Sequence, residues 1–418
     1  MPNIIKVAGV LFAPVLLVSM TAMGLAEAQT YEAPPTFRAA DILAPDIVSG
    51  PHHKIAETVE NDGVLNRFQV ETPQGPLTVV GTDRLMIRLH EVEALQQMEE
   101  VKRGDVFVDA LKNSAKAPLE LAKGLITDTG QTISDVGKGA GDFFDSVGHS
   151  LFGSPSEEEA GTIETVVGYD AIKRKFAYEF GVDPYTNYEA LQERLIELSR
   201  AALLGGITTK VAFAAIPNRA ASITLRATSF SEGMRKLVRD KSPAELKQIN
   251  AEKLAEMGVD DSVSELFLDH PHYSPTKKTY IVNALDQMTG AADRGIFLKR
   301  AALAPDEQMA FLMQRMAELM LSYHTTVAPA KRMVPAGRLV FLQRADGVAV
   351  GVVPLDHIIW RQTTAKRIAE MGAALDGIEG TTGKELWVEG TVSELFRENL
   401  TSQGWVIQEK ARDKLEAQ

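Results

Sequence analysis

The residues with chemical potential are few and stand in short groups. Ser274-Pro275-Thr276-Lys277 has the S-x-x-K spacing, which places a serine hydroxyl and a lysine amine on one helix turn, where the amine can activate the hydroxyl as a nucleophile. The companion S-D-N is missing, and the Lys278-Thr279 pair continues with Tyr280 where the third motif needs glycine. Ser274 before Pro275 is also a complete helix N-cap signal. Asp269, His270 and His272 are three potential metal ligands within four residues. Zinc needs three or four ligands in fixed geometry, and no H-E-x-x-H or similar run supplies the rest. The plain reading is a polar loop between helices. Asp356-His357 follows the strand-like Val348–Val353, and ligands of α/β sheets favour the carboxyl ends of strands. These two are the candidates for a small-ligand site, against the plainer reading of an ordinary loop. Gly380-Thr-Thr-Gly383-Lys384-Glu385 has Ile378 where a phosphate loop needs its first glycine and Glu385 in place of the magnesium-binding hydroxyl. No catalytic residue, cofactor or resident metal is assigned from these groups.

The elements that must position such residues change character along the chain. Residues 29–62 are broken by Pro34, Pro35, Pro45 and Pro51 and read as an extended lead-in. From Gly63 a hairpin-helix unit runs to about residue 106. Phe68, Val70 and Thr72 alternate with polar residues, Pro73 to Pro76 form the turn, Leu77 to Val80 return, and a helix from about Asp83 to Val101 covers the hairpin. Residues 165–332 read as a helical domain. Start signals stand at Thr186-x-x-Glu189, Ser242-Pro243-x-Glu245, Ser274-Pro275 and Pro305-Asp306-Glu307, and Gly258 is a stop. The Met309, Met313, Met316, Met320 stripe is read as core packing. Residues 333–410 alternate strand, helix, strand, helix, strand, the signature of βαβ units and a small parallel sheet. The fold class expected is α+β, predominantly helical, with this small α/β unit at its C-terminal end.

Residues 107–152 are unusual. Ile126, Ile133, Val136, Phe143, Phe144, Val147 and Leu151 keep one face of a helix, while Asp128, Asp135 and Asp142 recur every seven residues on another. The positions between are mostly Gly, Ser, Thr and Ala, including Gly137 and Gly141 at small-xxx-small spacing. Each interior glycine weakens a helix by about 1 kcal/mol against alanine. Such a helix needs a surface, be it a membrane, a partner helix or its own domains. Residues 153–164, which begin Gly-Ser-Pro-Ser-Glu-Glu-Glu, read as a linker.

Composition and the first residues suggest the compartment. Lys6 is the only charge before Glu27, the stretch between is apolar or small, and Ala26-Glu27-Ala28 is the small-x-small exit of a cleavable signal. Pro14 in the apolar run opposes a firm membrane span. The chain of 418 residues has no cysteine, which excludes disulfides, thiolate metal sites and a cysteine nucleophile. Its net charge of -12 disfavours nucleic acid and simple adsorption to anionic lipid. The expectation is an exported protein, periplasmic or envelope-associated. The leading reading is a non-enzymatic envelope protein associating with a membrane or partner helix through residues 114–152. The alternatives are a soluble periplasmic small-ligand-binding protein using Asp356 and His357, and a periplasmic hydrolase using Ser274 and Lys277 or a metal at His270 and His272.

Overall fold

The computed structural model describes residues 31–103, 163–205 and 232–415. The expected signal, the amphipathic segment with Ile126, Ile133, Val136, Phe143, Phe144, Val147 and Leu151, and the linker lie outside the described residues. The chain divides into two compact units, Met1–Tyr31 and Glu32–Gln418. The second unit is an α+β structure with two main sheets.

The first sheet is built on β5 (Asn66–Thr72), which pairs along one edge with β6 (Gly75–Val80), Phe68 opposite Val79 and Val70 opposite Leu77. Its other edge is shared end to end by β4 (Thr58–Asn61) and β3 (His53–Ile55), with β1 (Thr36–Arg38) outside β4 and β2 (Ser49–Gly50) outside β3, all antiparallel. Phe68 and Val70 are buried while Arg67, Gln69 and Glu71 point to water, as the alternation requires. Residues 36–61, expected as an extended lead-in, thus carry four strands and two one-turn helices, α1 (Ala39–Ile42) and α2 (Pro45–Val48). The strands have two to four residues each, too few to display a period. Pro45 opens α2 at its first position, where its missing N–H loses no helix bond.

Helix α3 (Thr82–Arg103) covers this sheet with Leu85 and Leu89 and turns Val92, Leu95, Met98 and Val101 to a second core. That core is shared with the antiparallel hairpin of α4 (Ile163–Phe180) and α5 (Glu189–Gly205). Five helices follow α6 (Glu232–Asp240): α7 (Pro243–Glu256), α8 (Asp261–Leu268), α9 (Pro275–Gln287), α10 (Gly295–Ala301) and α11 (Glu307–Thr326). Ser242 and Glu245 close a full capping box on α7, and Gly258 at φ +72° lets the chain leave it. Thr186 does not cap α5 as its spacing with Glu189 suggested. Its hydroxyl accepts the N–H of Tyr188, two residues on, at 3.1 Å and donates to the buried Glu91 of α3.

The second sheet has the order β13-β11-β9-β8-β7. Strands β9 (Val348–Val353), β11 (Gly383–Val388) and β13 (Trp405–Gln408) are parallel, linked through α12 (Gln362–Asp376) and α13 (Glu394–Ser402). Strands β8 (Leu339–Arg344) and β7 (Ala330–Ala336) add on antiparallel. Strand β7 was not expected. It holds Pro335, which suits the edge position it occupies. One apolar cluster runs from Leu254 of α7 through Met316, Met320 and Tyr323 of α11 to Phe341, Val350, Leu386 and Trp405 of the sheet.

Beyond the carboxyl ends of β9 and β11 the chain makes a tight second crossing. There β10 (His357–Ile358) lies parallel to β12 (Thr391–Val392), Gly390 N–H donates to Leu355 O at 2.9 Å and Thr391 N–H to Asp356 O at 3.0 Å. A side chain on Gly390 would overlap the Asp356 carbonyl. Gly390→Ala therefore forces a backbone shift, and we expect a loss of about 1–3 kcal/mol in urea unfolding. An unchanged midpoint would show that this crossing is loose.

Candidate functional site

The groups at Ser274 and Lys277, at Asp269 to His272 and at Asp356 and His357 each have a definite place. Ser274 Oγ accepts the Lys277 N–H at 3.2 Å and caps α9, while Lys277 Nζ donates to Glu307 Oε1 at 3.1 Å. Glu307 also pairs with Arg84 at 2.8 Å. Burial opposes its charge, but Lys277 and Arg84 hold its carboxyl below the usual range. The lysine is thus a partly buried ion-pair partner between α9 and α11. The Asp269 carboxylate takes Lys247 Nζ. His270 Nδ1 accepts the His272 N–H at 3.3 Å, and its ring stands edge-on to Tyr273 at 5.2 Å. Among the described residues no three side chains of metal-ligand type gather at one point, so Asp269, His270 and His272 do not converge.

Asp356 is brought to the carboxyl end of the parallel strands, as expected, but its carboxylate is already occupied. It accepts Asn66 N–H at 2.8 Å and Thr82 N–H at 3.0 Å. The second of these comes from the half-buried N-terminus of α3, where a carboxylate meets both the helix's unpaired N–H groups and its dipole. Burial still pushes the Asp356 carboxyl upward against these bonds. His357 contacts Thr391 Oγ1 through Nδ1 at 2.7 Å and lies against the edge of Phe37, ring centroids 5.2 Å apart. Burial lowers its pKa while Glu32 and Glu409 raise it. Glu32 accepts the Trp360 N–H at 2.6 Å and the Ser393 hydroxyl at 2.5 Å. Glu32 thus occupies backbone and hydroxyl donors at the carboxyl end of this sheet, beside His357.

Beside Asp356 lies a charged junction that sequence reasoning missed. Arg315 of α11, 1% exposed, donates Nε to Asp83 at 2.8 Å, Nη1 to Glu318 at 2.5 Å and Nη2 to Glu389 at 2.9 Å. Arg412, on the short C-terminal helix α14 (Ala411–Leu415), pairs with the same Asp83 and Glu389. Five side chains from α3, α11, the end of β11 and α14 are tied at one point.

A second group was also missed, between α3, α4 and α9. Glu91, 3% exposed, accepts the Thr186 hydroxyl and pairs with Arg88 at 2.9 Å; burial raises its pKa against that pairing. His90 donates from Nε2 to Phe180 O at 3.1 Å, while its Nδ1 is enclosed with no partner. Burial, with a smaller push from Arg235, lowers the His90 pKa against the backbone bonds that raise it. Lys173 of α4, 5% exposed, has Asp170 Oδ1 as an ion-pair partner only at 4.0 Å and lies 5.4 Å from the ring centroid of Tyr185. Asp183 accepts Thr276 Oγ1 at 2.6 Å and the Tyr185 N–H at 3.0 Å. The pattern Asp170, Lys173, Ala177, Phe180 is an apolar stripe with charges at two of its positions. That is the signal in the sequence, and it reads equally as a solvated face.

No family model, no curated protein and no solved structure matches the chain at the level that marks a relative.

Two outcomes test the energetics. Arg315→Leu leaves Asp83, Glu318 and Glu389 without their shared partner, and stability should fall by about 3–5 kcal/mol in urea unfolding; a loss under about 1 kcal/mol would make the junction incidental. The folded pKa of His90 lies below the unfolded one, so its contribution is complete above the ordinary imidazole pKa and is lost as pH falls through it. The stability difference between wild type and His90→Gln should accordingly shrink between about pH 7.5 and pH 5; a constant difference would mean that folding leaves the imidazole pKa unchanged.

Proposed function

We propose that the chain is an exported, non-enzymatic cell-envelope protein, periplasmic or envelope-associated, that attaches to a partner helix through residues 114–152 folded as a long amphipathic small-residue helix. The observation that carries this reading is the placement of the helices on either side. Glu99 pairs with Arg194, and Lys102 pairs with Glu197 at 2.7 Å, so α3 and α5 run in the same direction. Helix α4 returns against α5, with Tyr169 within electrostatic reach of Arg200. The end of α3 and the start of α4 therefore stand at one end of one helical layer, and residues 104–162 leave and re-enter there. Among the described residues, the core between α3, α4 and α5 is made by Val92, Leu95, Met98, Phe176, Leu191, Leu195 and their neighbours.

Ile126, Ile133, Val136, Phe143, Phe144, Val147 and Leu151 supply the apolar face for attachment, and the glycines allow close helix approach. Asp128, Asp135 and Asp142, with the net charge of -12, favour a protein partner over anionic lipid. Among the described residues no helix is long and apolar enough to cross a membrane.

The test is fractionation of the producing cell with the full chain, a Phe143→Asp/Phe144→Asp variant and a deletion of residues 114–152, each checked for an unchanged melting transition. Retention of the full chain in the envelope fraction and release of both variants supports the reading. Retention on protein-free vesicles of the same lipid would move the partner from helix to bilayer. Equal solubility of all three forms ends it.

A further inference from the structure

We propose that His90 is the sensor of an acid-opened latch: a proton taken up at its enclosed ring nitrogen frees the last turn of α4, and α6 with it, from α3. This goes beyond attachment and does not depend on it. The first observation is the bonding of the ring. His90 is 6% exposed, and its Nε2 lies 3.1 Å from the carbonyl oxygen of Phe180, the last residue of α4. A carbonyl only accepts, so Nε2 carries the hydrogen and Nδ1 holds the lone pair. That Nδ1 is enclosed with no partner. A proton there turns it into a donor with no acceptor, on a ring that has become a buried charge.

The second, independent observation is a cation on the same helix end. Arg235 of α6 donates Nη2 to Tyr178 O, in the last turn of α4, at 3.0 Å. A side chain built on Gly181 would come within 3.1 Å of His90 Nε2 and 3.8 Å of Arg235 Nη2, so one methyl position touches both nitrogens. A neutral His90 and Arg235 share the carbonyls of this turn, whereas two cations there repel. The α4 dipole favours positive charge at this end, but Arg235 already answers it. The remaining charges are committed elsewhere. On α3, Glu91 pairs with Arg88 at 2.9 Å; after α4, Asp183 accepts from Thr276 and the Tyr185 N–H; within α4, Asp170 takes Arg174 and lies 4.0 Å from Lys173; on α6, Glu232 stands 3.8 Å from Arg235. Burial also pushes the Glu91 carboxyl upward, so acid discharges it and leaves Arg88, Arg235 and the charged His90 together. Helix α6 is the element that yields, because its apolar hold is the small cluster of Met234 and Val238 with Tyr280, backed by Tyr185 and Leu237.

The experiment is amide hydrogen exchange of the full chain, read by mass spectrometry at about pH 7.5 and about pH 5.5, each rate being divided by that of an unstructured chain at the same pH. Peptides over 178–188 and 232–240 should lose protection about tenfold in acid, the factor by which an imidazole of ordinary pKa favours the open form across that interval. Peptides over β9 and β11 should keep theirs, and the loss should reverse on return to neutral pH. His90→Gln should abolish the pH dependence and Glu91→Gln should keep it. Arg235→Gln, at a side chain 38% exposed, should fold normally and reduce the loss several-fold with His90 in place. Unchanged protection in acid, or an equal loss over β9 and β11, overturns the latch. A loss that persists in His90→Gln or vanishes in Glu91→Gln overturns His90 as its sensor, and an undiminished loss in Arg235→Gln overturns the part given to Arg235.

Discussion

A single guanidinium that never reaches water sets the terms for the rest of the structure. Arg315 is enclosed at the meeting point of the first sheet's helix, the central helices and the second sheet, and its three donor positions each hold a carboxylate from a different turn or strand. Removing a charge from water carries a penalty of several kcal/mol, and only near-ideal pairing recovers it. The segments that bring Asp83, Glu318 and Glu389 are therefore bound to arrive together or not at all. Arg412 adds a second positive charge against three negative ones, which fixes α14 onto the same point. Apolar packing alone tolerates sliding and repacking. A directional network of this kind rejects alternatives, because any shift strands a buried ion.

The Asp356 staple extends this logic to the neighbouring helix. An α-helix presents unpaired N–H groups at its start, and the β9 end supplies a carboxylate for them. Sheet and helix are thus matched by the defects of each: the open carboxyl edge of the one and the open amino end of the other. The same match explains why the usual binding crevice of a parallel sheet offers no free carboxylate at Asp356.

How much of the molecule is legible in its sequence depends on how local each signal is. The caps at Ser242 and Ser274 need only a few residues of context, and both form. The parallel strands β9, β11 and β13 announce themselves by runs of apolar residues between helical patterns, and they pair as βαβ units. The methionines of α11 at 313, 316 and 320 pack in the core as their spacing suggested, whereas Met309, on the first turn, is exposed. By contrast, β1 to β4 are too short to show a period, and β7 hides behind a proline. Arg315, Glu91 and Lys173 were invisible for a different reason. On a helix, charges at three- and four-residue spacing look the same whether they face water or a buried partner, and the partners of Arg315 lie up to 232 residues away. Asp356 was seen as chemically able, but its occupants, Asn66 and Thr82, are 290 and 274 residues distant.

Those distances bear on how the chain is born. The bonds from Glu32 to Trp360 and to Ser393 span 328 and 361 residues, and those of Asp83 reach Arg412 across 329. A chain synthesised from its N-terminus has made the first sheet and α3 long before the groups that neutralise Asp83 and cap Thr82 exist. Glu32 and Asp83 must wait, with their carboxylates wet, until residues 360–412 have emerged. Contacts closed over such separations form slowly, since loop entropy is lost before the contacts return it. The junction is therefore closed late, and a chain that stops before α14 lacks Arg412 at the point where Asp83 of α3 is neutralised.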